Sequence, residues 1–92
     1  MPEPTILNAD DGKGHEFRVE ITTASSSVQV FLRMESLDGN GWPVIGRWAG
    51  DNPPTGIQLV QLYTILKKWN ITNMAKLFNS LVDILRPAKV PA

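Results

Sequence analysis

Residues 51–55 read Asp51-Asn52-Pro53-Pro54-Thr55, and the chain changes character across them. Upstream, apolar and polar residues alternate with a period of two. Downstream, the apolar residues recur with the period of a helix. Two successive prolines lack backbone donors and push the residue before each toward extended geometry, so neither a central strand nor a helix runs through this point. Charge divides at the same place. Residues 1–51 hold eight acids against four bases, a balance of −4, and residues 52–92 hold five bases against Asp83 alone, a balance of +4. The net charge of zero therefore conceals an acidic half and a basic half.

Going back from the break, Trp42 to Ala49 reads as a strand whose Pro43 suits its start or a sheet edge. Asp38-Gly39-Asn40-Gly41 before it is a strong reverse turn. Val28, Val30, Leu32 and Met34 alternate with Gln29, Phe31, Arg33 and Glu35, the clearest strand pattern in the chain. Phe17, Val19 and Ile21 alternate with Glu16, Arg18, Glu20 and Thr22 in the same way, and Ala24-Ser25-Ser26-Ser27 has the length of a hairpin connection. Thr5-Ile6-Leu7 is a further short strand, followed by a turn at Asp10-Asp11-Gly12-Lys13-Gly14.

Going forward, Thr55 is placed to cap a helix whose Leu59, Leu62, Tyr63, Ile65, Leu66 and Trp69 fill an arc of roughly 160°. Lys67 and Lys68 suit its last turn and Asn70 its end. Thr72 is placed to cap a second helix, in which Met74, Ala75, Leu77, Phe78, Leu81, Val82, Ile84 and Leu85 fill roughly 180° before Pro87 stops it. The whole pattern predicts an α+β fold: a three- or four-stranded antiparallel β-meander over residues 5–49, followed by two C-terminal helices within 55–86 packed on one sheet face. Residues 87–92 read as a frayed tail, and residues 1–92 as a single domain. The expected core is Phe17, Val19, Ile21, Val28, Val30, Leu32, Leu62, Leu66, Leu77, Leu81 and Leu85. Both helical stripes are wider than the roughly 100° that one packing surface needs. The two helices cover part of each other and the sheet covers more, and a second copy docking on the helical half is expected to take the remainder.

A chain of 92 residues buries a modest core, and with no cysteine it has no disulfide staple and no thiolate metal site. Met1-Pro2-Glu3-Pro4 lacks the basic and apolar regions of a secretory signal, and no apolar run approaches the roughly 20 residues that span a bilayer. The expectation is a cytoplasmic protein without membrane contact, metal or cofactor.

Candidate chemistry is sparse. Asp10, Asp11 and His15 offer oxygen and imidazole ligands but fall short of a closed metal site. Gly12-Lys13-Gly14 lacks the glycine spacing and the following helix of a phosphate loop. Ser25, Ser26 and Ser27 lie at the far end of a strand from His15, the one histidine, so no base reaches a nucleophile. Glu16 and Glu20 are interleaved with Arg18 and read as neutralised surface charge. Asn70-Ile71-Thr72 matches a glycosylation acceptor but reads as the helix–helix junction. These readings exclude no chemistry outright, but they point away from an enzyme.

Binding is better supported. If Val28, Val30, Leu32, Trp42, Val44 and Trp48 face the helices, then Phe31 stands on the open face among Arg18, Arg33 and Arg47, with Ile45 beside them. An aromatic ring among arginines anchors protein partners, and it also stacks nucleobases. On an ordinary solvated face Glu16, Glu20 and Glu35 would simply pair with those arginines across strands, and these acids weaken the nucleic-acid reading. Trp42, at a hairpin tip, is either a core residue or an anchor. Lys67, Lys68, Lys76 and Arg86, with Lys89, form a basic patch that suits phosphates or an acidic surface, or simply solubility. The order of a meander and then a helix loosely resembles the single-strand-binding transcription cofactors, and it suits small phage-encoded inhibitors. The likeness lies in element order alone, so no residue role is carried over. The expected function is a small non-catalytic protein-binding module, an adaptor or inhibitor (phage- or mobile-element-encoded, for example) that occupies a partner surface. The alternative is single-stranded nucleic-acid binding by the open sheet face.

Overall fold

The computed structural model describes residues 4–86. Four strands, β1 (Thr5–Asp10), β2 (Glu16–Thr23), β3 (Ser27–Met34) and β4 (Val44–Asp51), precede two helices, α1 (Gly56–Lys67) and α2 (Met74–Leu85). The strands form one antiparallel sheet in the order β1-β2-β3-β4, so each pairs with its neighbour in sequence. This is the expected meander, with four strands. The expected tail at 87–92, with Pro87 and Lys89, lies outside the described residues.

Alternation decides which face is buried. Phe17, Val19 and Ile21 of β2 pair with Met34, Leu32 and Val30 of β3, and all but the half-buried Met34 are buried. Leu62 and Leu66 of α1 and Leu77, Leu81 and Leu85 of α2 close over them from one side. Every expected core residue is buried, and Trp48 and Ile71 join them. Burying a leucine or isoleucine side chain contributes about 1.5–3 kcal/mol, so these contacts dominate the stability of so short a chain.

The break at 51–55 is a built corner. Pro54 is fully buried, and the Asn52–Pro53 peptide is cis. Asn52 ties the corner to the β2–β3 hairpin: its side-chain amide donates to the Ala24 carbonyl at 2.6 Å and its backbone N–H to the Ser26 carbonyl at 3.3 Å. Thr55 caps α1 as expected, in a reciprocal capping box with Gln58. Gln58 does more than cap. Its Oε1 also accepts from the Asp51 N–H at 3.1 Å, and its carbonyl accepts from the Trp48 indole at 2.9 Å. One residue thus fastens the end of β4 to the first turn of α1.

The expected cap at Thr72 is not formed. The second helix is capped from Asn73, in the left-handed region at φ 55°, with no side-chain cap bond. Thr72 is instead drawn to the sheet, its N–H donating to the Asp10 carbonyl of β1 at 2.7 Å. That contact anchors the start of α2 beside the β1 edge.

Candidate partner-binding face

The two helices lie on one side of the sheet, and its other face is open. Strand register places Asn8, Arg18, Arg33 and Val44 in one row across that face, and Ile6, Glu20, Phe31 and Arg47 in the next. Three of the expected residues, Phe31, Arg33 and Arg47, therefore sit together, with Phe31 directly opposite Arg47 and one row from Arg33. Arg18 lies directly opposite Arg33.

Val44 departs from the inward placement considered for it and Ile45 from the outward one, while Trp42, open in the sequence between core and anchor, stands against Arg18. A register shift falls between Leu32 and Arg33, so Gly46 pairs with Leu32 but Val44, two residues earlier, pairs with Arg33. Such an irregularity reverses the alternation beyond it. Val44 therefore joins the open face, and Ile45 packs against the core. Trp42, two residues before Val44, lies on the same face. The β3–β4 connection lays its ring against Arg18, whose guanidinium carbon stands 3.9 Å from the ring centroid. The Trp42 carbonyl accepts from Arg33 Nη1 at 2.8 Å, and the Arg33 Nε pairs with Glu20. Cation–π and charge-assisted contacts of this kind hold long side chains in place, so less conformational freedom is lost when something docks on them.

The face thus has two parts. Arg18, Trp42, Arg33 and Glu20 form a fixed, mutually satisfied cluster. Phe31, Arg47, Gln29 and Ala49 border a shallow depression beside it, and Arg47 is exposed. The register also brings Asp10 and Glu16 to the same face. Three acids (Asp10, Glu16, Glu20) thus stand with the three arginines, and the face has no net positive charge.

The other candidates stay apart. Lys67 is in the last turn of α1 and Lys68 caps its C-terminus, while Lys76 and Arg86 stand ten residues apart along α2, about 15 Å on a helix. They form no single groove. Ser25 and Ser26 lie in the β2–β3 hairpin and Ser27 opens β3, whereas His15 lies in the β1–β2 connection at the other end of β2. The Asp11 carboxylate accepts from the Lys13 N–H at 2.7 Å and the His15 N–H at 3.1 Å, and it pairs with His15 Nδ1 at 2.6 Å. Partial desolvation pushes the Asp11 carboxyl up, but these hydrogen bonds and the neighbouring imidazole together bring it below its ordinary value. Its oxygens are spent on shaping the loop. Among the described residues no three metal-ligating side chains cluster, and no helix is long and apolar enough to cross a membrane.

The molecule belongs to the class of small α+β domains in which an open antiparallel meander is covered on one side by a helical pair. Comparison with known proteins finds no matching protein family, no matching curated protein and no matching solved structure.

Proposed function

We propose that this chain is a non-catalytic protein-binding module whose open sheet face occupies the surface of a partner protein, in the manner of a small adaptor or inhibitor. One observation carries the reading: Trp42 and Phe31 lie on the uncovered face among Arg18, Arg33 and Arg47, two of these arginines already held by contacts within the chain. Aromatic and arginine side chains supply most of the binding energy at protein interfaces, and holding them in place beforehand lowers the entropy lost on docking.

Charge favours a protein over a nucleic-acid strand. A strand-binding groove tracks phosphates with surplus cations. Here Glu20 engages Arg33, and Asp10 and Glu16 lie on the same face. A mixed, balanced face suits a partner that also carries both signs.

The test is capture from extracts of the native host under gentle conditions, with and without nuclease, using the wild-type chain and the Phe31→Ala/Trp42→Ala double variant. A defined protein retained by the wild type, lost with the variant and indifferent to nuclease is the expected result. Retention that nuclease abolishes, or binding of oligonucleotides that weakens steeply with salt and vanishes in Phe31→Ala, would replace this reading with single-stranded nucleic-acid binding.

A further inference from the structure

The outer side of strand β1 is open along its backbone. In an antiparallel sheet the N–H and C=O of one residue point the same way, and those of the next residue point the other way. The Asp11 N–H points inward and donates to the His15 carbonyl, whereas the Asp10 carbonyl points outward and accepts from Thr72. Glu16, opposite Asp10, turns its own carbonyl away from β1 to the Glu35 N–H. By alternation the N–H and C=O of Ile6 and Asn8 also point out of the sheet, and among the described residues nothing bonds to them. Sheet edges are ordinarily guarded by a proline, a lysine or a bulge. Thr5–Asp10 contains neither residue, and its register with β2 is unbroken. Its one charge, Asp10, sits at the end that Thr72 closes.

The space beside this edge is shaped. The chain enters α2 beside Asp10, and the helix runs back along β1 without closing on it. A groove of about 240 Å³ separates the two, with Leu7, Ala9 and Leu77 as its apolar surface and Lys76 and Ser80 on its α2 side.

We propose that this groove takes an extended segment of a partner protein, which joins the sheet as a strand antiparallel to β1. The unpaired main chain of Ile6 and Asn8 selects the occupant, because donors and acceptors at every second residue are met by another extended backbone. Register then sets the side chains of the segment. Its residues opposite Ala9 and Leu7 point to the helix side, where an acid meets Lys76 and an apolar side chain lies over Leu7 and Leu77. Its residues opposite Asn8 and Ile6 point to the open side. There a polar side chain suits exposed Asn8, and a β-branched one covers Ile6, which is 46% exposed. From N- to C-terminus the segment reads acid, polar, apolar, β-branched.

Charge disfavours a second copy in this place. Two β1 edges paired about a two-fold axis at Asn8 would bring Lys76 of both copies toward the axis, and Thr5, Leu7 and Ala9 offer no acid to meet them. The groove lies on the helix side of the sheet and Phe31 on the open side, so this site does not depend on the open face having a partner.

The test is a titration of the purified chain with the capped peptide acetyl-Glu-Thr-Leu-Val-amide up to about 10 mM, followed by amide NMR. Saturable shifts at Ile6, Asn8 and Leu77, with slowed hydrogen exchange at Ile6 and Asn8, are the expected result. N-methylation of the peptide's valine, whose N–H faces β1, is expected to weaken binding about tenfold or more, and N-methylation of its leucine, whose N–H faces solvent, to leave it unchanged. Asn8→Pro is expected to weaken binding equally while the circular dichroism spectrum stays the same, because an edge strand accepts a proline whose lost N–H was unbonded. Absence of saturable shifts would overturn the proposal, as would shifts at Arg47 and Ala49 of β4 in place of β1, or equal losses from the two methylated peptides. Self-association of the chain through the Ile6 and Asn8 amides without peptide would replace the partner segment with a second copy. No arm involves the Phe31 face, so failure here leaves the reading of that face intact.

Discussion

Gly50 is where a single side chain decides how β4 meets α1. A Cβ there would fall 2.8 Å from two ring carbons of Trp48 and 3.1 Å from Gln58 Oε1. The indole therefore occupies the space above position 50 only because that position carries no side chain, and its N–H reaches the Gln58 carbonyl. Gly50→Ala is expected to displace the ring and destabilise the fold by about 1–3 kcal/mol in urea titration, as overpacking does. Asp11, in the β1–β2 connection at the other edge of the sheet, is the comparable residue there. Its carboxyl is held below the ordinary 3.8 by the loop around it. A group whose value is depressed in the fold contributes stability that is present above the unfolded value and lost as pH falls through the folded one. Melting temperature is therefore expected to fall on acidification below about pH 4, and Asp11→Asn to lose part of that slope while lowering the melting temperature at pH 7. Asp38 is depressed too, by hydrogen bonds from the Ser36 hydroxyl and the Asn40 N–H, so it supplies some of the slope that remains.

Among the elements, strand and helix periodicities were fully legible, because each buried residue of β2, β3 and α2 stands at the spacing that burial on one face requires. What could not be read was any position fixed by contacts distant in sequence. Val44 and Ile45 sit opposite to expectation because the pairing with β3 skips Ile45, between Leu32↔Gly46 and Arg33↔Val44, and nothing in Trp42-Pro43-Val44-Ile45 announces it. Thr72 has the chemistry of a cap, but its backbone is claimed by Asp10, far away in the chain. The missed role of Gln58 is different. Gln three residues after a capping Thr is the capping-box signature, so that residue was open to prediction from sequence. At this scale Thr55→Ala is expected to cost about 1 kcal/mol by removing the Oγ1 acceptor from the Gln58 N–H. Gln58→Ala is expected to cost more, because it also frees the Asp51 N–H. Thermal denaturation of the two variants side by side checks that order.

At the scale of the whole molecule, the charge break at residues 51–55 separates two outer surfaces of one core. Sheet and helices bury each other, leaving a mixed-charge open face on one side and a helical face on the other that carries Lys67 and Lys68 at the end of α1 and Lys76 apart from them on α2. The residues of the sheet face were legible in the sequence because Phe31, Arg33 and Arg47 lie on regular strands. The linking of Arg18 to Trp42 was not, since it depends on how the β3–β4 connection folds back. The most direct measurement places a photo-crosslinking amino acid at exposed Gln29, beside Phe31, and a second at exposed Lys76 on α2, and irradiates cells of the native host. A discrete protein adduct from position 29, missing from position 76 and abolished by adding Arg47→Ala, is the expected result. Adducts of nucleic acid at position 29, or the same protein adducts at both positions, would contradict a protein-binding sheet face.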